Sequence, residues 1–342
     1  MVFLPLGVLL AGCMAPTPAQ AEFVLGTVCS INLYKQGSPA IYSEIFSRLR
    51  EIEAAMSTNL TDTDIDTINK NAGIGPVPVH EAVIDVLERA IQYAELSGGA
   101  FDPTVGPLVR LWGIGTDHAT VPEEADILAA LSRINWRDMV IDRNAGTVLL
   151  RKPGMALDLG AIAKGYAADE VVRIIKQAKI PGAIIDLGGN VFAYGEKASG
   201  KPGSPTESWR IGIQNPVEER GTYIGILSVR NKSIVTSGVY ERYLEADGMR
   251  YHHILSTENG YPIDNGLFSV TIVADHSIDA DALSTTVFTL GYEKGRALIE
   301  SLHTTAGNTI EAIFVFHDRS IRLTEGALPM FTLSSSAYQI AR

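Results

Sequence analysis

Asp281 and Thr285 stand four residues apart in Asp279-Ala280-Asp281-Ala282-Leu283-Ser284-Thr285-Thr286, just inside a helix predicted to begin near Ser277. That spacing puts a carboxylate and a hydroxyl on one helix face, one turn apart. A hard cation such as Mg²⁺ takes oxygen ligands and keeps few protein groups when substrate phosphates complete its shell, so the pair suits a metal-phosphate site. Taken alone, the octapeptide reads equally as an acidic first turn favouring the helix dipole. A second stretch, Met155-Ala156-Leu157-Asp158-Leu159-Gly160-Ala161-Ile162-Ala163-Lys164-Gly165-Tyr166-Ala167-Ala168-Asp169, opens another helix that is predicted to run to about Lys179. Helix starts attract anions, and Lys164 in the first turn adds a point charge for phosphate. A Walker A spacing of Gly, Lys and Ser or Thr is absent, and so is the Rossmann Gly-x-Gly-x-x-Gly.

The elements that must hold these residues are an α-rich first part and a β-rich middle. Apolar residues at steps of three and four predict helices over Ala40 to Ser57, a short one around Ile65 and Ile68, Glu81 to Leu96, Pro122 to Arg133 and Glu293 to Leu302. Ser97 to Gly113 reads as a rigid interhelical loop, in which glycines permit close backbone approach and Pro103 and Pro107 stiffen the chain. Met139 to Asp142 and Thr147 to Arg151 pair as a hairpin, and Asp247-Gly248 marks another before His252 and His253. Strands are predicted within Glu22 to Tyr34, and over Ala183 to Leu187, Val191 to Tyr194, Trp209 to Gln214, Tyr223 to Val229, Ser233 to Thr236, Phe268 to Ala274 and Ala312 to His317. An edge strand and tail follow, Lys197 to Ser208 is an exposed excursion, and no internal repeat is visible. The fold class expected is α+β, with mixed, mainly antiparallel sheets flanked by helices.

With 342 residues and 46% hydrophobic content, the chain can bury a large core. A net charge of −11 argues against nucleic acid as a partner, because phosphate backbones need a basic surface. After the N-terminal segment no run reaches the roughly 18 apolar residues that span a bilayer, so a soluble globular body is expected. Val2 to Leu10 is a short apolar run followed by Leu10-Ala11-Gly12-Cys13, which looks like the lipobox of a bacterial lipoprotein. On that reading residues 1–12 are a signal peptide, Cys13 is lipidated, 13–21 form a tether and 22–342 the folded domain. The segment lacks the Lys or Arg of a signal n-region, which points to a start codon upstream. The other cysteine, Cys29, then has no disulfide partner and reads as a small core residue.

Read together, these pieces resemble the ApbE family of bacterial flavin transferases, enzymes that use FAD to attach FMN covalently to a Ser or Thr of another protein. The resemblance lies in Gly99-Ala100-Phe101-Asp102-Pro103-Thr104-Val105-Gly106-Pro107-Leu108, in Leu157 to Ala167, in Asp186-Leu187-Gly188-Gly189-Asn190, in His253 with Gly260-Tyr261-Pro262, and in Ala280 to Thr285. These occur in the family's order. The resemblance implies an ApbE-like fold in which Asp281, Thr285 and the backbone carbonyl of Ala161 hold Mg²⁺. It places FAD against Leu25, Asn59, Ala100, Phe101 and Asp102, with Asp158 and Lys164 near its phosphates or ribityl chain and Ile254 along the backbone. His253 matches the position of a general base, suited by the ordinary imidazole pKa, and Asp281 completes the catalytic pair. His252 alternates to the other face of the strand and is the weaker candidate.

Three residues depart from the family's pattern. Leu25 replaces a frequent Met and keeps an apolar wall, and Ser256-Thr257 replaces a common Asp-Pro in a turn. Asn59 stands where an aromatic is usual, removing a stacking surface worth on the order of 1 kcal/mol and leaving room for water. Hydrolysis of FAD to FMN and AMP is therefore expected as a companion or rival activity. Capture of flavin by a non-catalytic lipoprotein is a third alternative, but it needs neither the Asp281 and Thr285 pair nor a base. The acceptor implied is a flavoprotein such as a membrane redox-pump subunit, reached from a lipid anchor on the periplasmic face of the inner membrane.

Overall fold

Residues 18–34, 37–197, 207–305 and 309–341 are described by the structure, a computed structural model. Cys13 and the lipobox lie outside them, as does most of the excursion after Lys197.

Helix α1 (Pro39–Met56) starts where Ser38 Oγ accepts the Ile41 N–H and proline occupies the first turn, and it buries Tyr42, Ile45, Phe46, Leu49 and Ile52. Thr63 caps α2 (Asp64–Lys70), and α3 (Glu81–Leu96) has the predicted bounds. Helix α4 (Gly106–Trp112) corrects the reading of Ser97 to Gly113 as loop throughout. Pro107 sits in its first turn, where a missing N–H does no harm, and Gly113 ends it in the left-handed region at φ 58°. Helices α5 (Glu124–Leu131) and α6 (Ala163–Gln177) follow, and α7 (Ser277–Thr305) is interrupted at Gly291, with φ 75° and ψ 178°. That break separates the two helices expected there.

Among the described residues, nine strands form the main sheet, in the order Gln20–Val24, Thr27–Tyr34, Gly182–Leu187, Asn190–Gly195, Lys232–Gly238, Leu267–Ala274, Glu311–Phe316, Ser320–Leu323 and Gln339–Ile340. All neighbours are antiparallel except the last pair. Leu25 and Gly26 both take positive φ, 58° and 66°, so the single run read over Glu22 to Tyr34 is instead a tight hairpin beginning at Gln20. One face of the sheet carries α1, α6 and α7 over a core of Ile31, Leu49, Val171, Ile272 and Leu283. A three-stranded sheet, Phe331–Leu333, Tyr223–Val229 and Trp209–Gln214, encloses a second core of Trp209, Leu227, Val273, Ile313 and Phe331. Leu267–Ala274 serves both cores, which is why it reads as a nearly unbroken apolar run. The tail expected after His317 also corrects to Phe331–Leu333 crossing to the second sheet, a pairing with Tyr223–Val229 that local pattern does not encode.

Candidate active site

Helices α6 and α7 meet at their N-terminal ends, and a glycine sets how closely. A Cβ on Gly165 would lie 2.4 Å from the Ser277 carbonyl oxygen and 2.8 Å from Asp281 Cβ, so no larger residue fits. The Gly165 N–H donates to Asp281 Oδ2 at 2.9 Å, rather than closing the first helical turn onto the Ala161 carbonyl. Lys164 Nζ donates to the Gly160 carbonyl at 2.9 Å and lies 3.9 Å from Asp281 Oδ1. Asp281 is only 4% exposed, and Thr285 Oγ1 sits 3.2 Å from Ser237 Oγ on the adjoining strand.

The acidic first turn of α7 does not cap it. Asp169, from the far end of the same motif that carries Lys164, accepts the Ser277 N–H at 2.8 Å and the Ile278 N–H at 2.9 Å. Burial pushes its carboxyl up to about 6, against the opposing pull of those two amides. Asp279 accepts instead from the Tyr93 hydroxyl at 2.8 Å. Asp281, Thr285 and the Ala161 carbonyl are hard oxygen donors on these two segments. Among the described residues no three His, Cys, Asp or Glu side chains gather as a metal cluster. One carboxylate with neutral oxygens fits the small share of the shell that Mg²⁺ leaves to protein when phosphates supply the rest.

The two adjacent histidines have different work. His252 Nε2 donates to the Ile263 carbonyl at 2.7 Å and its Nδ1 accepts the Ile254 N–H at 3.2 Å, so both ring nitrogens are occupied. His253 Nδ1 faces the Arg242 carbonyl at 3.2 Å. A carbonyl only accepts, so the proton is on Nδ1 and Nε2 carries the free lone pair. Burial, with the Arg242, His252 and Lys164 charges, pulls the His253 pKa down to about 4, leaving a neutral base at physiological pH.

The loops implied to touch the flavin are tied to this junction. Gly106 N–H donates to the Ala156 carbonyl at 3.1 Å and Asp158 N–H to the Pro103 carbonyl at 2.9 Å. Asp158 Oδ1 accepts the Gly160 N–H at 2.9 Å, shaping the turn before Lys164. The side chains of Phe101 and Asp102 point inward. Phe101 is 5% exposed against Tyr93, and Asp102 accepts from Thr104 N–H and Oγ1–H at 2.8 and 2.6 Å and from Trp136 N–H at 3.1 Å. Backbone and Ala100 are therefore what this loop can offer a ligand. Thr257 Oγ1 donates to the Gly99 carbonyl at 2.8 Å, a tie that a proline at this position would lack. Ile254 is buried, with its carbonyl accepting the Ile263 N–H at 3.0 Å.

Leu25 lies in the hairpin turn whose Gly26 N–H donates to Glu53 Oε1 at 3.1 Å, which docks the turn on the end of α1. Asn59 follows that end on an exposed bend, its own N–H held by Ser57 Oγ at 3.1 Å. Reading the sequence missed Asp169, Glu53 and Ser237 as positioning groups. Asp169 had a signal, since it closes the Leu157 to Asp169 motif, but its partners are 108 and 109 residues away.

The architecture and this junction define an α+β protein whose two facing helix starts bring hard oxygens and a lysine together. The ApbE family's pattern matches residues 25–313, and the chain belongs to that family. It is 37% identical to the FAD:protein FMN transferase of Treponema pallidum (strain Nichols), covering 95% of this chain and 91% of that protein. It is 38% identical to one from Klebsiella pneumoniae (strain 342), over 93% of this chain and 95% of the relative. The crystal structure of the ApbE protein of Thermotoga maritima superposes with a TM-score of 0.81 at 30% identity, covering 92% of this chain and 98% of that one. A histidine-to-glycine mutant of the flavin transferase ApbE of Vibrio cholerae gives 0.74 at 28% identity, over 94% and 97%.

Proposed function

We propose that this enzyme transfers the FMN half of FAD to a Ser or Thr hydroxyl of an acceptor flavoprotein and releases AMP, in a Mg²⁺-dependent reaction. The observation that carries this reading is the junction in which Gly165, Lys164 and Asp281 are locked together, with a histidine of free Nε2 within reach of the Lys164 charge. The names of the relatives support it. In the reaction the acceptor oxygen attacks the phosphorus on the FMN side of the pyrophosphate. Its bond to that phosphorus forms, the phosphorus bond to the bridging oxygen breaks, and AMP leaves with that oxygen. The hydroxyl proton goes to His253 Nε2, the Nδ1 proton being held by the Arg242 carbonyl. Lys164 adds positive charge where the pyrophosphate lies, and the Gly165 amide keeps Asp281 in place. Mg²⁺ held by Asp281, Thr285 and the Ala161 carbonyl would supply charge neutralisation for the pyrophosphate.

FAD hydrolysis is the second reading, favoured by Asn59 standing exposed just past the end of α1, the end on which the Leu25 turn docks. Water then takes the place of the acceptor oxygen and FMN is released. Residues 1–12 as signal peptide and Cys13 as lipid anchor would place the enzyme on the periplasmic face of the inner membrane, near acceptors such as redox-pump subunits. Incubating the purified chain with FAD and Mg²⁺, with and without an acceptor flavoprotein, separates the readings. Flavin fixed to the acceptor supports transfer, AMP without acceptor supports hydrolysis, and unchanged FAD in both tubes refutes both.

A further inference from the structure

Three hydroxyls, two on α7 and one on the strand beside it, can be followed proton by proton. Ser284 Oγ donates to the Asp281 carbonyl at 2.9 Å, and a carbonyl only accepts, so the Ser284 proton is committed there. Ser237 Oγ lies 2.9 Å from Ser284 Oγ and 3.2 Å from Thr285 Oγ1. Each hydroxyl carries one proton, and a single assignment turns all three contacts into hydrogen bonds. In it Ser237 donates to Ser284, and Thr285 donates to Ser237. The chain therefore runs one way, from Thr285 through Ser237 and Ser284 to the backbone of Asp281. Two other threonines of α7 show what Thr285 forgoes. Thr286 Oγ1 donates to the Ala282 carbonyl at 2.7 Å and Thr289 Oγ1 to the Thr285 carbonyl at 2.9 Å, each onto its own preceding turn, as helical threonines commonly do. For Thr285 the matching carbonyl is that of Asp281, and Ser284 holds it. Ser237 receives the diverted proton from Lys232–Gly238, an inner strand of the main sheet, where it stands opposite Val270. Ser284 is buried and Thr285 half-buried, so only Thr285 has a side open to a ligand.

We propose that Ser237 is a positioning residue that makes Thr285 Oγ1 an acceptor only, and so a ligand for a divalent cation rather than a donor to the phosphates of FAD. This assignment rests on the reading of Asp281 and Thr285 as Mg²⁺ ligands. A hydroxyl free to rotate offers its proton to a phosphate oxygen as readily as its lone pairs to a cation. One whose proton is held on the far side offers lone pairs alone. Both ends of the chain belong to the two residues read as ligands, so a single hydroxyl on a rigid inner strand sets the direction of the whole relay. Removing a group that orients a metal ligand in this way typically weakens metal binding by about 10–100-fold.

Ser237→Ala, Ser237→Thr, Thr285→Val and the double variant Ser237→Ala with Thr285→Val test this. Binding of Mn²⁺ alone is read from loss of the free ion's electron paramagnetic resonance signal, and competition by Mg²⁺ gives the affinity for that ion. Ser237→Ala is expected to weaken both by at least about tenfold and to raise the Mg²⁺ concentration for half-maximal AMP release by the same factor. Ser237→Thr keeps the hydroxyl and restores both, and Ser237→Cys, whose sulfur accepts weakly, lies between them. FAD affinity in EDTA, read by flavin fluorescence, stays at the wild-type value in Ser237→Ala, because no bond to phosphate is lost. The double variant binds Mn²⁺ as weakly as Thr285→Val and no more so, since Ser237 acts through Thr285 alone. A merely structural serine would instead add its own loss to that of Thr285→Val, and additivity overturns the proposal. FAD affinity that falls in EDTA overturns it too, by assigning the Thr285 hydroxyl to a phosphate. Wild-type Mn²⁺ affinity in Ser237→Ala overturns it and leaves the Mg²⁺ reading standing. A wild-type chain that neither binds Mn²⁺ nor needs a divalent ion to release AMP refutes the Mg²⁺ reading, and the proposal with it.

Discussion

The α6 and α7 junction and the rim at the C-terminal end of α1, where the Leu25 turn docks and the Asn59 bend follows, are both implied to meet the same substrate, yet they are built in opposite ways. At the junction a glycine admits contact at van der Waals limits, a buried carboxylate accepts a backbone amide, and Asp169 ties the start of α7 by both oxygens. At the rim a two-residue turn is held by one hydrogen bond to Glu53, and Asn59 stands in solvent. The difference separates two tasks. Holding a pyrophosphate demands charge fixed in advance, because reorganising it during the reaction would raise the barrier. Deciding whether water or a protein hydroxyl attacks demands only that one of them be admitted.

That division is tested most severely by Asp281→Ala, which removes the junction's one buried carboxylate next to Lys164. Turnover of FAD should fall by at least about a hundredfold, in the range of losing one preorganised electrostatic contact. A matching circular dichroism spectrum checks that the fold survives, and full activity in excess EDTA would detach the carboxylate from any metal. Lys164→Ala should be milder, weakening FAD binding by about 1–2 kcal/mol, as for one charge-assisted hydrogen bond. Titration by flavin fluorescence measures it, and an unchanged affinity would remove Lys164 from the site.

His253 feels the Lys164 charge of the junction, and its test is a pH profile. With its pKa pulled down to about 4, the neutral ring persists through the range where an ordinary histidine protonates, so the acidic limb of single-turnover transfer should lie near pH 4. The folded value is depressed below the unfolded one near 6.5. The stability this group contributes is therefore present above about pH 6.5 and lost progressively as pH falls towards 4. Chemical denaturation at pH 7, 5.5 and 4.5 follows that loss, and His253→Gln should flatten His253's share of it. An acidic limb near 6.5 would mean that the ring is solvated and the buried account of it is wrong.

The smallest effect belongs to the rim. Asn59→Tyr should restore a stacking surface, exclude water and tighten FAD binding by about 1 kcal/mol. The ratio of free FMN to protein-attached flavin should fall, because the acceptor hydroxyl does not enter through the space left for water. An unchanged ratio would remove Asn59 from the flavin's surroundings.

How much of this was legible follows the range of the interactions. Helix α3 was readable to its ends because Val83, Val86, Leu87 and Ile91 repeat at helical spacing and pack on one core. Helix α4 was hidden because Pro107 and its neighbouring glycines are loop formers in every position but the ones they occupy, the first turn and the left-handed end. Alternation alone separated His252 from His253, but only their partners show that one ring is fully bonded and the other is not. The Asp281 and Thr285 spacing was visible in eight residues. Its cap was not, since Asp169 reaches Ser277 across 108 residues of chain.

Cys29 offers a last consequence, in redox chemistry. Its Sγ is 0% exposed, donates to the Val24 carbonyl at 3.2 Å, and is pushed up to about 12 by burial and by the Asp186 and Glu53 carboxylates. Oxidants and disulfides react with the thiolate, which this site does not populate at any physiological pH. Once the Leu25 hairpin has closed over its strand, the folded chain can work in an oxidising compartment with a reduced thiol. The vulnerable interval is the one before that hairpin forms.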